Sequence, residues 1–511
     1  MKSLGFRNFR KFENLEPLEL GGVTFLVGEN NSGKSTFTKG ALLLGNFLKM
    51  IKLNDVNEKH PLKKEFSFTS PKFRHVYIDT FHQALCNQAQ NRVISFEANI
   101  DEFLITVSVV EQSAFSEENG ACGAYITVSE YRGRPLPHLQ FDGFPELEEN
   151  ASADNKSQLD NNTAVVSSII LYDQKRGLRF DIDYQLSKLD VIFYDVELKK
   201  KHDQLVADFN NGNFAEGSHD ELLAEITKVE KACELKIISG QFAVTKDSKL
   251  DFRKASPAEK EIINESFVRI ESIIKEYNFE YIYAHSVHQK STYSYDASIK
   301  NDDFISQTIS RYYNQEMRHR INLVESEKSP KAFVRQWMDF LNIGEDFEIK
   351  GETSLTVASD DRKLTVTMFD GDDEYNLSTK GIGFIQLFTL LLRLATIVTS
   401  NERLKTVVIE EPEQNLHPAL QSKLADLFYN IYQETGCQII VETHSEYIVR
   451  KSQVIVSNLS EGEENPFKVY YFPSKRKPYE LRYAPDGSFL DRFGTGFYDE
   501  AAQLHRQILS K

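Results

Sequence analysis

Cysteine is scarce: the 511 residues hold four, Cys86, Cys122, Cys233 and Cys437. They lie too far apart for a disulfide framework or for paired metal spacing. Sparse, scattered thiols fit a reducing compartment, so a cytoplasmic protein is expected. Long apolar runs are also missing. No stretch reaches the roughly 18 residues that a membrane span needs. The opening Met1–Arg10 has neither an apolar core nor a small-residue cleavage site, so no secretory leader and no membrane association are expected. Basic residues are outnumbered, 60 Lys and Arg against 76 Asp and Glu, for a formal net charge of −16. That weighs against a protein coating nucleic acid with its whole surface, and one basic groove remains compatible. The runs Lys199–Lys201 and Lys475–Lys477 read as solvated faces.

What is present is a globular composition, 41% hydrophobic and 27% charged, long enough for two or three domains. Val23–Val27 is a β-branched, apolar strand that runs into a loop rich in glycine and asparagine. From Lys34 to about Met50 the period turns helical. Alternation over Val93–Ile100, Phe103–Gln112 and Ala124–Tyr131 predicts an antiparallel meander. Residues 146–163 read as an exposed loop, and Ser168–Asp173 with Leu178–Tyr184 as a hairpin. Between about Val196 and Tyr277 the pattern is helical, with charged helices over Asp220–Leu235 and Ala258–Tyr277. Phe279–Ala284 reads as a strand returning to the core, Asp303–Leu341 as helical, and strands resume near Glu352. Three parts are expected: 1–190 with an antiparallel β subdomain, 191–344 as a mainly helical insertion with a strand near 279–284, and 345–511.

Gly28-Glu29-Asn30-Asn31-Ser32-Gly33-Lys34-Ser35-Thr36 fits G-x-x-x-x-G-K-[S/T] in full. Glycines let the backbone turn so that N–H groups point inward at phosphate oxygens. Lys34 supplies a cation for the β- and γ-phosphates, and the Ser35 hydroxyl suits Mg²⁺. The following helix aims its positive end at the same place. With a strand before and a helix after, the nine residues predict nucleotide binding.

A second strand, Thr406–Ile409, ends in Glu410-Glu411-Pro412-Glu413. One carboxylate at such a strand end suits Mg²⁺, and the next can deprotonate an attacking water. Glu410 is assigned to the metal and Glu411 to the base, against the plainer alternative of a solvated acidic turn. Asn415–Pro418 then opens a helix bounded by Pro418 and Gly436. A third strand, Cys437–Val441, closes on Glu442-Thr443-His444-Ser445. A lone histidine is usually structural, but strand, polar residue and helix recur here along one sheet edge, where parallel sheets bind ligands. Leu377–Gln386 opens a very apolar helix to about Val398. Ser378, Gly381 and Gly383 at its start can bind an anion through backbone N–H groups, although a G-x-G alone is more often a turn. Asp370–Asp373 reads as a hairpin turn.

Taken in order, these segments resemble the ABC ATPase heads of SMC, RecF and OLD-family proteins. Asn8–Arg10 resembles their N-terminal start, Gly28–Thr36 their Walker A, and Leu377–Gln386 a variant signature motif. Val407–Pro412 resembles Walker B, Asn415–Pro418 the D-loop, and His444 the switch histidine. The pair "EEPExxLHP" and "ETHSE", with Gly496–Glu500 at the end, is most similar to single-chain bacterial AAA-type ATPases, including those of anti-phage systems such as Septu. The resemblance covers roughly residues 1–135 and 345–511. Glu410 stands where ABC transporters have aspartate, the signature carries one residue more than L-S-G-G-Q, and His417 replaces the D-loop aspartate.

The resemblance implies an α/β ABC-type P-loop head with a mixed sheet, an antiparallel β subdomain and a helical insertion. It implies ATP and Mg²⁺ as ligands and a homodimer or higher oligomer. In that dimer Ser378, Gly381 and Gly383 of one copy face the phosphate held by the other. Glu411 and His444 would be catalytic, and Ser35 and Glu410 would hold the metal. No nuclease cluster is evident in the chain, so an effector, nuclease or toxin, is expected as a separate partner in anti-phage defence. The alternative is a repair or maintenance ATPase that clamps DNA directly.

Overall fold

The computed structural model describes residues 1–50, 65–68, 78, 80–111, 130–131, 134–135, 163–183, 188–210, 219–241, 255–276, 279–283, 290, 292–294, 304–321, 329–352, 363–400, 406–460, 462–494 and 500–509. The chain divides into two compact units: Met1–Glu19 with Lys39–Tyr277, and Leu20–Thr38 with Asn278–Lys511.

The first unit is built on antiparallel strands. Its sheet runs in the order Glu234–Gln241, Lys188–Tyr194, Leu178–Asp183, Thr163–Asp173, Phe103–Glu111, Val93–Ile100, Ser3–Phe9 and Phe12–Glu19, with Glu65–Ser67 also paired to Thr163–Asp173. Val93–Ile100 buries every second side chain, as its alternation predicts. Phe6, Phe9, Phe66 and Phe96 interlock beneath the sheet in tilted, stacked and edge-on contacts. The hairpin read at 168–184 is present, longer on its first arm. Of the strand expected over 124–131 only 130–131 are described, and most of the loop at 146–163 lies outside the described residues.

Helices Val196–Asn210 and His219–Cys233 follow, but Glu234–Gln241, inside the Val196–Tyr277 segment read as helical, is a strand. Pairing with Lys188–Tyr194 at seven positions outweighs the weak local preference of ELKIISGQ. The Lys199–Lys201 run is neutralised by its neighbours: Lys199 meets Asp203, Lys200 meets Glu197, and Lys201 meets Glu225.

The second unit carries a six-stranded sheet ordered Phe279–Tyr283, Thr406–Glu410, Gln438–Glu442, Val23–Gly28, Phe467–Phe472 and Tyr479–Glu480. The first five strands are parallel and the last is antiparallel. Val23–Gly28 is buried at every position, the signature of a central parallel strand covered on both faces. The strand expected near 279–284 is thus an edge strand here, paired to Thr406–Glu410. Asp346–Glu352, Lys363–Asp370, Asp373–Asn376 and Tyr293–Ser294 make a smaller antiparallel sheet, with the turn at Asp370–Asp373 where expected.

Helices Phe304–Ile321, Pro330–Leu341, Ile382–Val398, Pro418–Thr435 and Glu446–Ser457 supply the rest of one continuous apolar core. Pro418 opens its helix after His417, and Gly436 ends it in the left-handed region at φ 67°. The whole is the expected α/β class, a mixed sheet with the glycine loop at its centre and a separate antiparallel sheet. Among the described residues no helix is long and apolar enough to cross a membrane.

Candidate functional site

Three parallel strands, Val23–Gly28, Thr406–Glu410 and Gln438–Glu442, end side by side, because Glu410 pairs in register with Glu442 and Glu442 with Leu26. Their carboxyl ends place the glycine loop, the acidic turn and the histidine segment along one edge.

The loop needs its glycines. Gly28 has φ 133°, and a Cβ there would fall 2.3 Å from the carbonyl oxygen of Phe472. Gly33 has φ 110° and Asn31 φ 55°, so the backbone reverses sharply before the helix that begins at Lys34. Glu29, Asn30 and Asn31 are exposed, whereas Ser32, Gly33, Lys34 and Thr36 are buried. The Lys34 ammonium donates to the carbonyls of Gly28 at 3.2 Å and Glu29 at 2.8 Å, which holds it over the turn. Ser32 Oγ is buried with no hydrogen-bond partner, an orphaned donor within the glycine loop. A buried cation, an orphaned hydroxyl and a helix N-terminus together fit a polyphosphate.

Next to the loop, Ser35 Oγ donates to Glu442 at 2.6 Å, and Thr38 Oγ1 donates to Glu410 at 2.9 Å. Thr38 also lies 3.4 Å from the second oxygen of Glu442. Tyr281 donates its phenol hydrogen to Glu410, and burial together with that carboxylate pushes the phenol far up. Burial, then Glu410, pushes the Glu442 carboxyl up to about 7. Two carboxylates and two hydroxyls in so small a space form an all-oxygen donor set, and the strain of like charge is what a hard dication relieves. The residues therefore fit Mg²⁺. Glu442 received no role from sequence reasoning, since only the parallel register brings it to Ser35.

Glu411 adopts φ 45°, a left-handed conformation that costs a residue with a side chain about 1 kcal/mol. Its N–H donates to the Glu442 carbonyl at 2.8 Å. This turn carries the Glu411 carboxylate to 3.7 Å from His444 Nε2. Burial and, next, the Lys34 charge lower the His444 pKa, so the imidazole is neutral at pH 7. Gln414 also donates to Glu411. Glu413 is buried and accepts the His444 backbone N–H at 2.6 Å.

The segment at 377–386 is set differently. Ser378 Oγ donates to Asn376 at 2.7 Å within a short 3₁₀ turn. Gly381 caps the helix Ile382–Val398 with open space where a Cβ would be. At Gly383 a Cβ would sit 2.1 Å from the Asn415 carbonyl, so this glycine serves a close approach within the chain. Asn415 Nδ2 donates to Gln386 at 2.9 Å, tying the same helix to the turn after the acidic strand. His417, in the D-loop-like position, is the N-cap of Pro418–Thr435, its Nδ1 accepting from Ala419.

Residues 1–449 match the protein family described as AAA ATPase domain. Among solved structures, one that is similar is an Smc head bound to the C-terminal winged-helix domain of ScpA, 11% identical, TM-score 0.39, over 94% of this chain and 97% of that one. Another is the Smc head domain with an extended coiled coil bound to the C-terminal domain of ScpA, from Pyrococcus furiosus, 10% identical, TM-score 0.32, covering 99% of each chain. The SMC head domain from Thermotoga maritima is 10% identical, TM-score 0.31, over 92% of this chain and 94% of that one. No curated protein matches.

Proposed function

Because this chain belongs to the AAA ATPase domain family and is an ATPase, we propose that it is a switch that closes as a homodimer around ATP and signals that state to a separate effector. The observation that carries this reading is the meeting of glycine loop, paired carboxylates and Glu411–His444 couple on one sheet edge. Gly28–Thr36 cradles the triphosphate, with Lys34 neutralising its charge. Ser35 and Glu410 would hold Mg²⁺, which would supply neutralisation of the phosphate charge. Glu411 takes a proton from the attacking water as its oxygen bonds to the γ-phosphorus. The bond to the β-phosphate oxygen breaks, and ADP leaves with that electron pair. Neutral His444, beside Glu411, donates its one N–H to the γ-phosphate.

Ser378 and Gly381, at an exposed helix start, meet the phosphate held by the other copy. Gly383 acts at one remove, by seating that helix against Asn415. An anti-phage role with a nuclease or toxin as effector, like the Septu-type ATPases that the sequence resembles, is the biological form of this reading. The test is physical. Glu411→Gln mixed with ATP and magnesium should double in mass by light scattering, and Lys34 and Ser378 variants, each inactive, should regain turnover when mixed. A monomer that retains no ATP overturns the reading. Tight, salt-sensitive binding of duplex DNA by the isolated Glu411→Gln protein would instead favour a direct DNA clamp.

A further inference from the structure

We propose that Glu413 is a positioning residue that locks His444 opposite Glu411. The inference rests on the site reading above and adds to it the group that holds its histidine in place.

The parallel ladder between Thr406–Glu410 and Gln438–Glu442 ends in register at Glu410 and Glu442. One further main-chain bond follows, from Glu411 N–H to the Glu442 carbonyl at 2.8 Å. There the first chain veers off, since Glu411 turns left-handed at φ 45° and Pro412 has no N–H. The main-chain acceptor that would have continued the ladder toward His444 is gone. Glu413 replaces it with its side chain: Oε1 accepts the His444 N–H at 2.6 Å. On the other flank Thr443 N–H is held by the Leu26 carbonyl at 3.1 Å, and Ser445 caps the next helix. His444 would otherwise be the loose link between a strand and a helix.

The tie also sets a distance. Glu413 is two residues from Glu411, and its own carbonyl accepts from Leu416 N–H at 3.1 Å, which closes the acidic turn. Base and histidine are thereby referenced to one rigid turn, and their 3.7 Å separation is held by Glu413 rather than by the half-buried His444 side chain itself. Glu413 is 8% exposed, so water does not compete for the bond. Small misplacements of reacting groups are costly, which gives the tie a kinetic signature.

The experiment is a double-mutant cycle on ATP turnover by the full chain, with nucleotide affinity and melting temperature measured alongside. Glu413→Ala should lower kcat about tenfold or more, as a misplaced group does, with KM and ATP affinity within about twofold. Glu413→Gln keeps an acceptor oxygen and should restore most of kcat. In a His444→Ala background, Glu413→Ala should add less than about twofold, because the two act as one unit. Full additivity in the cycle overturns the proposal, as does a Glu413→Gln variant as slow as Glu413→Ala, or a loss confined to KM. Should Glu413→Ala fail to fold, Glu413→Asp decides: the shortened side chain withdraws the acceptor and kcat must fall, and wild-type turnover overturns the tie. A wild-type kcat in His444→Ala is a different failure, since it removes His444 from the proposed function itself.

Discussion

Ser35 Oγ donates a 2.6 Å hydrogen bond to Glu442, a residue 407 positions further along the chain. The bond exists because Val23–Gly28 and Gln438–Glu442 are neighbours in one parallel sheet. It makes Glu442 a partner of the hydroxyl assigned to Mg²⁺. Glu442→Gln is therefore expected to leave ATP binding without magnesium nearly intact. The gain in affinity on adding magnesium should shrink about tenfold, the usual cost of losing an outer partner of a metal ligand. Titration of a fluorescent ATP analogue with magnesium or with chelator reads both numbers; an undiminished magnesium effect refutes the expectation.

Lys34 and Glu411 should separate binding from chemistry. Lys34→Ala removes the buried cation and is expected to abolish nucleotide binding. Glu411→Gln keeps binding and lowers turnover by about 10² to 10⁴, roughly 3 to 5 kcal/mol of barrier. Equilibrium binding and phosphate release distinguish the two, and normal turnover in the glutamine variant takes Glu411 out of the base role.

Glu411 also carries strain. Its φ of 45° suits glycine better than glutamate. Glu411→Gly is expected to gain up to about 1 kcal/mol from that relief, partly offset by the flexibility it adds to the unfolded chain. Glu411→Gln keeps the strain. The glycine variant should melt no lower than the glutamine variant while both are inactive; a clearly lower melting point would mean that the turn is not strained.

The two glycines at the start of Ile382–Val398 are not equivalent. Gly381→Ala places its Cβ in open space and should cost at most about 1 kcal/mol, the loss of a favourable cap residue. Gly383→Ala drives a Cβ into the Asn415 carbonyl and should cost more, about 1 to 3 kcal/mol, while slowing turnover through the displaced turn. Urea melts of the pair measure the difference, and equal midpoints would contradict the close approach.

Cys437 is 2% exposed, and burial pushes its thiol up to about 12 from an ordinary value of 9.0. The thiolate is the reactive form, so Cys437 should resist alkylation at pH 8 in the folded protein and react only on unfolding. The linkage has a sign. The folded state keeps the proton where the unfolded chain loses it, so this stability is complete below pH 9 and is lost as pH rises towards 12. Pulse alkylation read by mass spectrometry, and melts from pH 8 to 11, check both; a Cys437→Ala chain should show a flatter alkaline limb.

Much of this was legible locally. The loop Gly28–Thr36 declares itself because the demand for left-handed backbone, a buried cation and a helix start all fall within nine consecutive residues. Pro418, Gly436 and the Asp370–Asp373 turn were readable for the same reason: each is a short-range constraint on φ and on hydrogen bonding. Glu410 and Glu411 stood out as carboxylates directly after an apolar strand.

Glu442, Glu413, Gly383 and the strand Glu234–Gln241 were not legible, although every letter was in view. Their roles depend on which segments lie side by side. Parallel register takes Glu442 to Ser35, the end of that ladder turns Glu413 into a backbone acceptor, and Asn415 fills the space a side chain at Gly383 would need. The amino-acid order alone determined the local chemistry, because that chemistry is written in neighbouring residues. Only tertiary pairing decided which carboxylate serves which group, because hydrogen bonds between strands hundreds of residues apart leave no periodic trace in the chain.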